Sequence, residues 1–243
     1  MAIMKIPRPP AFPPVDKDEL YLTMLDGLSR YLDNPFARDL VRTVSRHPLP
    51  GLAHSLNKNQ VASKLWLLNA LAQVQLGPLG TVVVLGGWYG MLSAMLLDDR
   101  RFAPAQVVSV DIDPSCQPVA ETLNRRHLEA GRFLALSCDM RRLDYGGISV
   151  SLPAAAGGQL KLRPQLVINT SCEHVEDFPS WYGRIPTGML LVLQSNDYFG
   201  CDEHSNCVAD LAAFRAQAPL TEELFAGTLP LKRYRRFMLI GRK

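Results

Sequence analysis

No apolar stretch in the chain approaches the roughly 20 residues that a membrane-spanning helix needs, so an integral membrane protein is not expected. Cysteine is sparse, with five among 243 residues, an odd number at irregular spacing. That pattern excludes a disulfide scaffold and makes a reducing, cytoplasmic setting the expectation. Charge of either sign is not in excess: 26 Lys and Arg face 23 Asp and Glu, for a net charge of +3. So slight a surplus does not argue for nucleic acid, and the basic residues Lys232, Arg233, Arg235 and Arg236 read as the solvated face of a strand. The N-terminus has Lys5 and Arg8 but prolines in place of an apolar signal core, so no signal peptide is expected. Phosphate-cradling GK[ST] and internal repeats are both missing. Cys201, His204 and Cys207 stand as C-x2-H-x2-C, without the paired knuckles of a structural zinc site. No metal is expected there, and the segment reads as an active-site loop.

What is present centres on residues 81–97, TVVVLGGWYGMLSAMLL. Val82, Val83, Val84 and Leu85 form the short apolar run of a strand buried on both faces. Gly86, Gly87 and Gly90 give a turn that lets backbone approach a ligand, and Met91, Ala94 and Met95 share one face of a following helix. Residues 106–110, QVVSV, form a second strand that ends at Asp111. An acid at that tip, 25 residues after Gly86, can accept both hydroxyls of an adenosine ribose. The turn reads GGWYG, with Trp88 and Tyr89 where a dinucleotide fold needs room for pyrophosphate. The pair of motifs therefore favours an adenosine ligand without pyrophosphate.

VVVLGGWYG followed by VVSVDIDP resembles the first two motifs of class I S-adenosylmethionine-dependent methyltransferases. The resemblance implies an α/β, Rossmann-like fold: a mostly parallel seven-stranded sheet whose last strand is antiparallel, preceded by an N-terminal helical cap. It implies S-adenosylmethionine as cofactor or substrate, held by Gly86, Gly87, Trp88, Tyr89, Asp111, Ile112 and Thr170. Asp139 and Met140, which follow a third strand FLALSCD, match the position where the family holds adenine.

Along the chain, five prolines within residues 1–14 suggest an extended arm. Asp16 to Asp18 can cap a helix in which Leu20, Met24, Leu25, Leu28 and Leu32 recur at helical spacing. A second helix is expected over 35–46 and a third over 59–75, with Val61, Leu65, Leu68 and Ala72 on one face. Residues 1–75 thus divide from 76–243 as a helical cap, either a lid over the ligand or a layer covering one face of the sheet. Residues 1–34 in particular are expected to close over the ligand. A polar helix over 117–130, a loop or hairpin over 146–159, and strands in QLVINTSCEH and GMLLVLQ complete the sheet with an antiparallel pair near the C-terminus.

The fourth strand end, NTSCEH, packs an amide, two hydroxyls, a thiol, a carboxylate and an imidazole into six residues. Asn169 is the first candidate there, for the amino-acid part of the ligand or for substrate, with Glu173 and His174 as base or orienter. The alternative is that these residues satisfy loop backbone and cap the next helix. The family's [DNS]PP[YFW] turn, used on amino groups of bases, is missing, which speaks against a nucleic-acid substrate. Aromatic faces stabilise a sulfonium as they do an ammonium, and Trp88, Tyr89, Trp181, Tyr182, Tyr198 and Phe199 crowd these strand ends, Tyr182 and Tyr198 being candidates for catalysis. Gln60 and Lys64 could meet the cofactor carboxylate.

Three readings stay open. The first is methyl transfer to a small polar metabolite in a small closed pocket. The second is cyclisation of S-adenosylmethionine itself to azetidine-2-carboxylate with release of methylthioadenosine, as in azetidine-2-carboxylate synthases. The third is a non-catalytic S-adenosylmethionine-binding domain. The expected partner is a small molecule, not nucleic acid or membrane, and the sequence does not fix an oligomeric state.

Overall fold

The computed structural model describes residues 17–151 and 159–243. The proline-rich segment and the side chains of Asp16 and Asp18 lie outside them. Four helices come first: α1 (Lys17–Tyr31), α2 (Pro35–Arg46), α3 (Pro50–Ser55) and α4 (Lys58–Gln73). Strand β1 (Thr81–Leu85), helix α5 (Met91–Asp98) and strand β2 (Gln106–Asp111) follow. The expected polar helix is two, α6 (Cys116–Leu123) and α7 (Arg125–Glu129), before β3 (Phe133–Ser137). It breaks at Asn124, whose side-chain amide donates to Gly90 O and Ala120 O and so ties the break to the start of α5. Strands β4 (Ile148–Ser151) and β5 (Gln159–Leu162) form an antiparallel hairpin of their own. The chain then runs through β6 (Pro164–Asn169), α8 (Phe178–Arg184), β7 (Leu190–Asn196), α9 (Leu211–Gln217), β8 (Glu222–Pro230) and β9 (Arg235–Arg242).

The main sheet has the order β3-β2-β1-β6-β7-β9-β8. The first five pair in parallel, and β9 runs antiparallel to both neighbours. Successive side chains of a strand point to opposite faces, and β1 divides its residues accordingly. Val82 and Val84 pack with Leu67, Leu68 and Leu71 of α4 and Leu92 and Leu96 of α5. Val83 and Leu85 pack with Phe178 and Trp181 of α8 and Phe214 of α9. Each such side chain contributes about 1.5–3 kcal/mol by leaving water. Both faces are covered, which is why β1 and β6 read as continuous apolar runs rather than alternating ones.

Two expectations about the preface need correction. Helix α4 does not bury the Val61–Leu65–Leu68–Ala72 stripe, for Leu65 is exposed and the buried positions are Ser63, Leu67, Leu68, Ala70 and Leu71. The face is turned because the Ser63 hydroxyl donates to Gln194 Oε1 of β7 at 2.9 Å, which puts a polar residue on the sheet side. In α1 the stripe Leu20, Met24, Leu28 and Leu32 is exposed, and Leu25 instead packs with Phe36 and Leu40 of α2. Helix α2 is in turn fastened by Asp39, whose carboxylate accepts from Arg126 of α7 at 2.5 Å. Arg126 also pairs with Asp98 at the end of α5.

Candidate functional site

The carboxyl ends of β1, β2, β3, β6 and β7 open into one cavity of about 1040 Å³. Open α/β sheets bind ligands at this end, where strand order reverses between β1 and β6. The cavity is not small: its volume is at the top of the range usual for small-molecule sites. Among the described residues, helix α1 does not line the cavity, and the expected lid over residues 1–34 lies partly outside the described residues. The preface reaches the cavity through Ser55 at the end of α3 and through Asn57, Asn59, Gln60 and Lys64 in the first turns of α4 and its cap. Asn57 caps that helix, its Oδ1 accepting from Asn59 N and Gln60 N at 3.0 Å each.

The turn after β1 is built by three positive φ angles, at Gly86, Trp88 and Gly90. Trp88 is the unusual one, since a bulky residue pays a steric cost there. Its amide accounts for the geometry, donating to Asp111 Oδ2 at 2.7 Å. Asp113 N donates to the other oxygen at 3.0 Å. Asp111 is thus held by backbone on both sides, and each oxygen keeps a lone pair for a ligand. Gly87 is required at the same place, because a Cβ would come 2.1 Å from Ser109 Oγ on β2. Gly86, Gly87, Trp88, Tyr89, Asp111 and Ile112 all line the cavity, with Trp88 and Tyr89 stacked at 4.9 Å.

Asp139 and Met140 also line it. The Asp139 carboxylate caps the turn at 140–142 and is gripped by the Arg141 guanidinium, which holds it below the usual carboxylate range. Gln60 and Lys64 face the cavity as a bonded pair, Lys64 Nζ donating to Oε1 at 2.7 Å. Burial, and secondarily the nearby Arg236 charge, bring the Lys64 ammonium down to about 8. It is therefore largely charged at neutral pH and lightly solvated, ready for an anionic group.

The NTSCEH segment divides. Thr170, Ser171, Glu173 and His174 line the cavity, as does Tyr198. Asn169 does not. It is fully buried, its Oδ1 accepts from Ser171 N at 2.9 Å and its Nδ2 lies 3.7 Å from the Met140 sulfur. It ends β6, between β1 and β7, with its side chain against its own turn and Met140. Tyr182 is also outside the site, packed on Phe178 with its hydroxyl donating to Pro219 O. Trp181 is core, bonded to the Tyr145 hydroxyl.

Arg236 does not lie on a solvated face. It is buried, donating to Glu173 Oε1 at 3.0 Å and to Thr170 O at 2.8 Å. Asn196 Nδ2 donates to the same Glu173 oxygen at 2.6 Å. Gln194, Asn196, Glu173 and Arg236 thus form one network at the ends of β6 and β7, and only the folded contacts bring Arg236 into it.

No protein-family model matches the sequence, and no curated protein matches it. Solved structures do resemble its fold. The N-methyltransferase NodS from Bradyrhizobium japonicum WM9, in complex with S-adenosyl-L-homocysteine, aligns at 12% identity over 86% of this chain and 99% of that one, with a TM-score of 0.53. Geranyl diphosphate C-methyltransferase from Streptomyces coelicolor A3(2) aligns at 13% identity over 79% and 83%, with a TM-score of 0.53. MtNAS in complex with MTA and tNA aligns at 12% identity over 93% and 78%, with a TM-score of 0.50. At these identities the likeness is one of fold: the chain has the class I methyltransferase fold.

Proposed function

We propose that the chain is an enzyme that consumes S-adenosylmethionine, transferring its methyl group to a small polar metabolite. The observation that carries this is Asp111, held by the amides of Trp88 and Asp113 at the rim of the cavity with a lone pair free on each oxygen. A carboxylate so fixed suits the two ribose hydroxyls of an adenosine. The adenine then falls between Ile112 and Met140, and the amino-acid end reaches Lys64 and Gln60, whose charge and amide suit a carboxylate. Tyr198 and His174, which line the same cavity, are the groups offered to a methyl acceptor. Catalysis here is positioning: the acceptor atom is held in line with the methyl carbon, and its lost proton passes to water.

A second reading has one observation in its favour. MtNAS, whose complex holds MTA, aligns with 93% of this chain, including the helical preface. In the cyclisation the α-amine attacks its own γ-carbon, the carbon–sulfur bond breaks, methylthioadenosine leaves and the ammonium loses a proton.

Incubating the full chain with S-adenosylmethionine, alone and with candidate amines and hydroxy acids, separates the two. S-adenosylhomocysteine that appears only with an acceptor supports methyl transfer. Methylthioadenosine from S-adenosylmethionine alone supports cyclisation. Failure of both S-adenosylmethionine and S-adenosylhomocysteine to bind in calorimetry removes both readings.

A further inference from the structure

Glu173, His174 and His204 come together on the cavity wall although His204 lies 30 residues from its neighbours in sequence. One carboxylate oxygen of Glu173 and one ring nitrogen of each histidine all lie within 4.8 Å of one another. Adjacent strands produce the meeting: β6 ends just before Glu173, and β7 beside it ends just before the loop that carries His204.

Three features distinguish this from a chance cluster. Glu173 is buried, and both of its hydrogen bonds, from Asn196 and Arg236, go to Oε1. Among the described residues, Oε2 has no hydrogen-bond partner. A buried carboxylate oxygen without a donor is unfavourable, and a bound cation would satisfy it. The histidines supply the second feature. Nδ1 of His174 lies 3.0 Å from Glu203 O, and Nδ1 of His204 lies 3.0 Å from Tyr198 O. A carbonyl can only accept, so Nδ1 carries the proton in each ring and Nε2 of the neutral imidazole is left with its lone pair. Backbone carbonyls that fix the tautomer in this way are the outer partners typical of metal-bound histidines. Third, the two rings stand edge to face at 4.7 Å beyond the ends of β6 and β7, whereas Asp111 ends β2.

We propose that Glu173, His174 and His204 bind a single divalent first-row transition-metal ion. Two imidazoles and one carboxylate suit Zn²⁺, Fe²⁺ or Co²⁺ rather than Mg²⁺ or Ca²⁺, which take oxygen, or Cu⁺, which takes sulfur. Donors bound at about 2.0–2.2 Å stand roughly 3 Å apart, so the cluster closes on binding. His174 is exposed and His204 half-buried. Three protein ligands leave further coordination positions open to the cavity. The site stands on these contacts alone and does not depend on whether S-adenosylmethionine binds.

The test uses the full chain, stripped with chelator and without S-adenosylmethionine. Co²⁺ is titrated by its visible absorption, and Zn²⁺ and Mg²⁺ by calorimetry. The expected result is one Co²⁺ or Zn²⁺ per chain, with no heat from Mg²⁺ at the same concentrations. His174→Ala and His204→Ala should each weaken Zn²⁺ at least tenfold. Neither histidine is core, and circular dichroism verifies that the variants fold. Cys201→Ser and Cys207→Ser should bind as the parent does. Absence of stoichiometric binding, affinity unchanged in both histidine variants, loss of binding in the cysteine variants, or Mg²⁺ binding as tightly as Zn²⁺ overturns the proposal.

Discussion

Arg236 Nη2 lies 3.0 Å from Glu173 Oε1, and the two side chains are only 8% and 2% exposed. The residues are 63 apart in sequence, and their pairing joins the last strand of the sheet to the turn after β6. Two charges have been taken out of water here, so either one alone is a liability. Arg236→Met should therefore destabilise the chain by about 3–5 kcal/mol, since Glu173 is left charged and buried. Adding Glu173→Gln should restore a good part of the loss, because the uncompensated charge is gone. Urea denaturation of the single and double variants measures both. A loss below about 1 kcal/mol in the single variant, the usual size for an exposed pair, would contradict the buried pairing.

Lys64 yields a pH prediction. Burial lowers its folded-state value to about 8, below the ordinary value of 10.5. Below about 8 the ammonium is charged in both states, and the folded state carries the full cost of burying it. Between about 8 and 10.5 the folded chain has released the proton while the unfolded chain still holds it. The unfolded state then binds more protons, so this group makes stability rise with pH across that window. Lys64→Met removes the effect. The variant should be more stable than the parent at pH 7 by about 1–3 kcal/mol, and the difference should shrink by pH 10. Denaturant midpoints at the two pH values provide the comparison, and a difference independent of pH would refute the assignment.

The parts of the fold that could be read from sequence are those encoded within a few residues. Val82–Leu85, the glycines after it and Asp111 are each a local signal, and they stand where the spacing put them. What escaped was set by distant partners. Arg236 sits among Lys232, Arg233 and Arg235, and only the approach of Glu173 and Thr170 from β6 makes it an interior residue. Ser63 faces the sheet because Gln194 receives its hydroxyl, so the apolar stripe of α4 misjudged the buried face. Asn169 was legible as a strand end, but its side chain lies against its own turn and Met140. Tyr182 has the composition of a site residue and the address of a core residue.

Asn169 should behave as a structural residue. Its Oδ1 holds Ser171 N, and removal of the amide leaves that N–H to find another partner in a half-buried turn. Asn169→Ala should cost about 1–3 kcal/mol of stability. The S-adenosylmethionine affinity of the folded fraction should stay within a few fold of the parent. Thermal denaturation and calorimetry on the same preparation test this. Unchanged stability together with a turnover loss of a hundredfold would put Asn169 back among the reacting groups.

Asp111 is the opposite case, a residue whose loss should be felt first by the ligand. Its two oxygens already accept from Trp88 N and Asp113 N, so Asp111→Ala also loosens the turn. A simple fall in affinity would not separate the two effects, and the ligand itself supplies the control. If the carboxylate holds the ribose hydroxyls, their contribution is that of a hydrogen bond to a charged group, about 1.5–3 kcal/mol. The parent should then bind S-adenosylhomocysteine at least tenfold more tightly than its 2′-deoxy analogue. In Asp111→Ala the two ligands should bind within about threefold of each other, because the partner of the missing hydroxyl is gone. Four calorimetric titrations complete the cycle, and coupling is their double difference. A coupling near zero, with both ligands weakened equally by the mutation, would mean that Asp111 serves only the turn, and the adenosine would have to be held from elsewhere in the cavity.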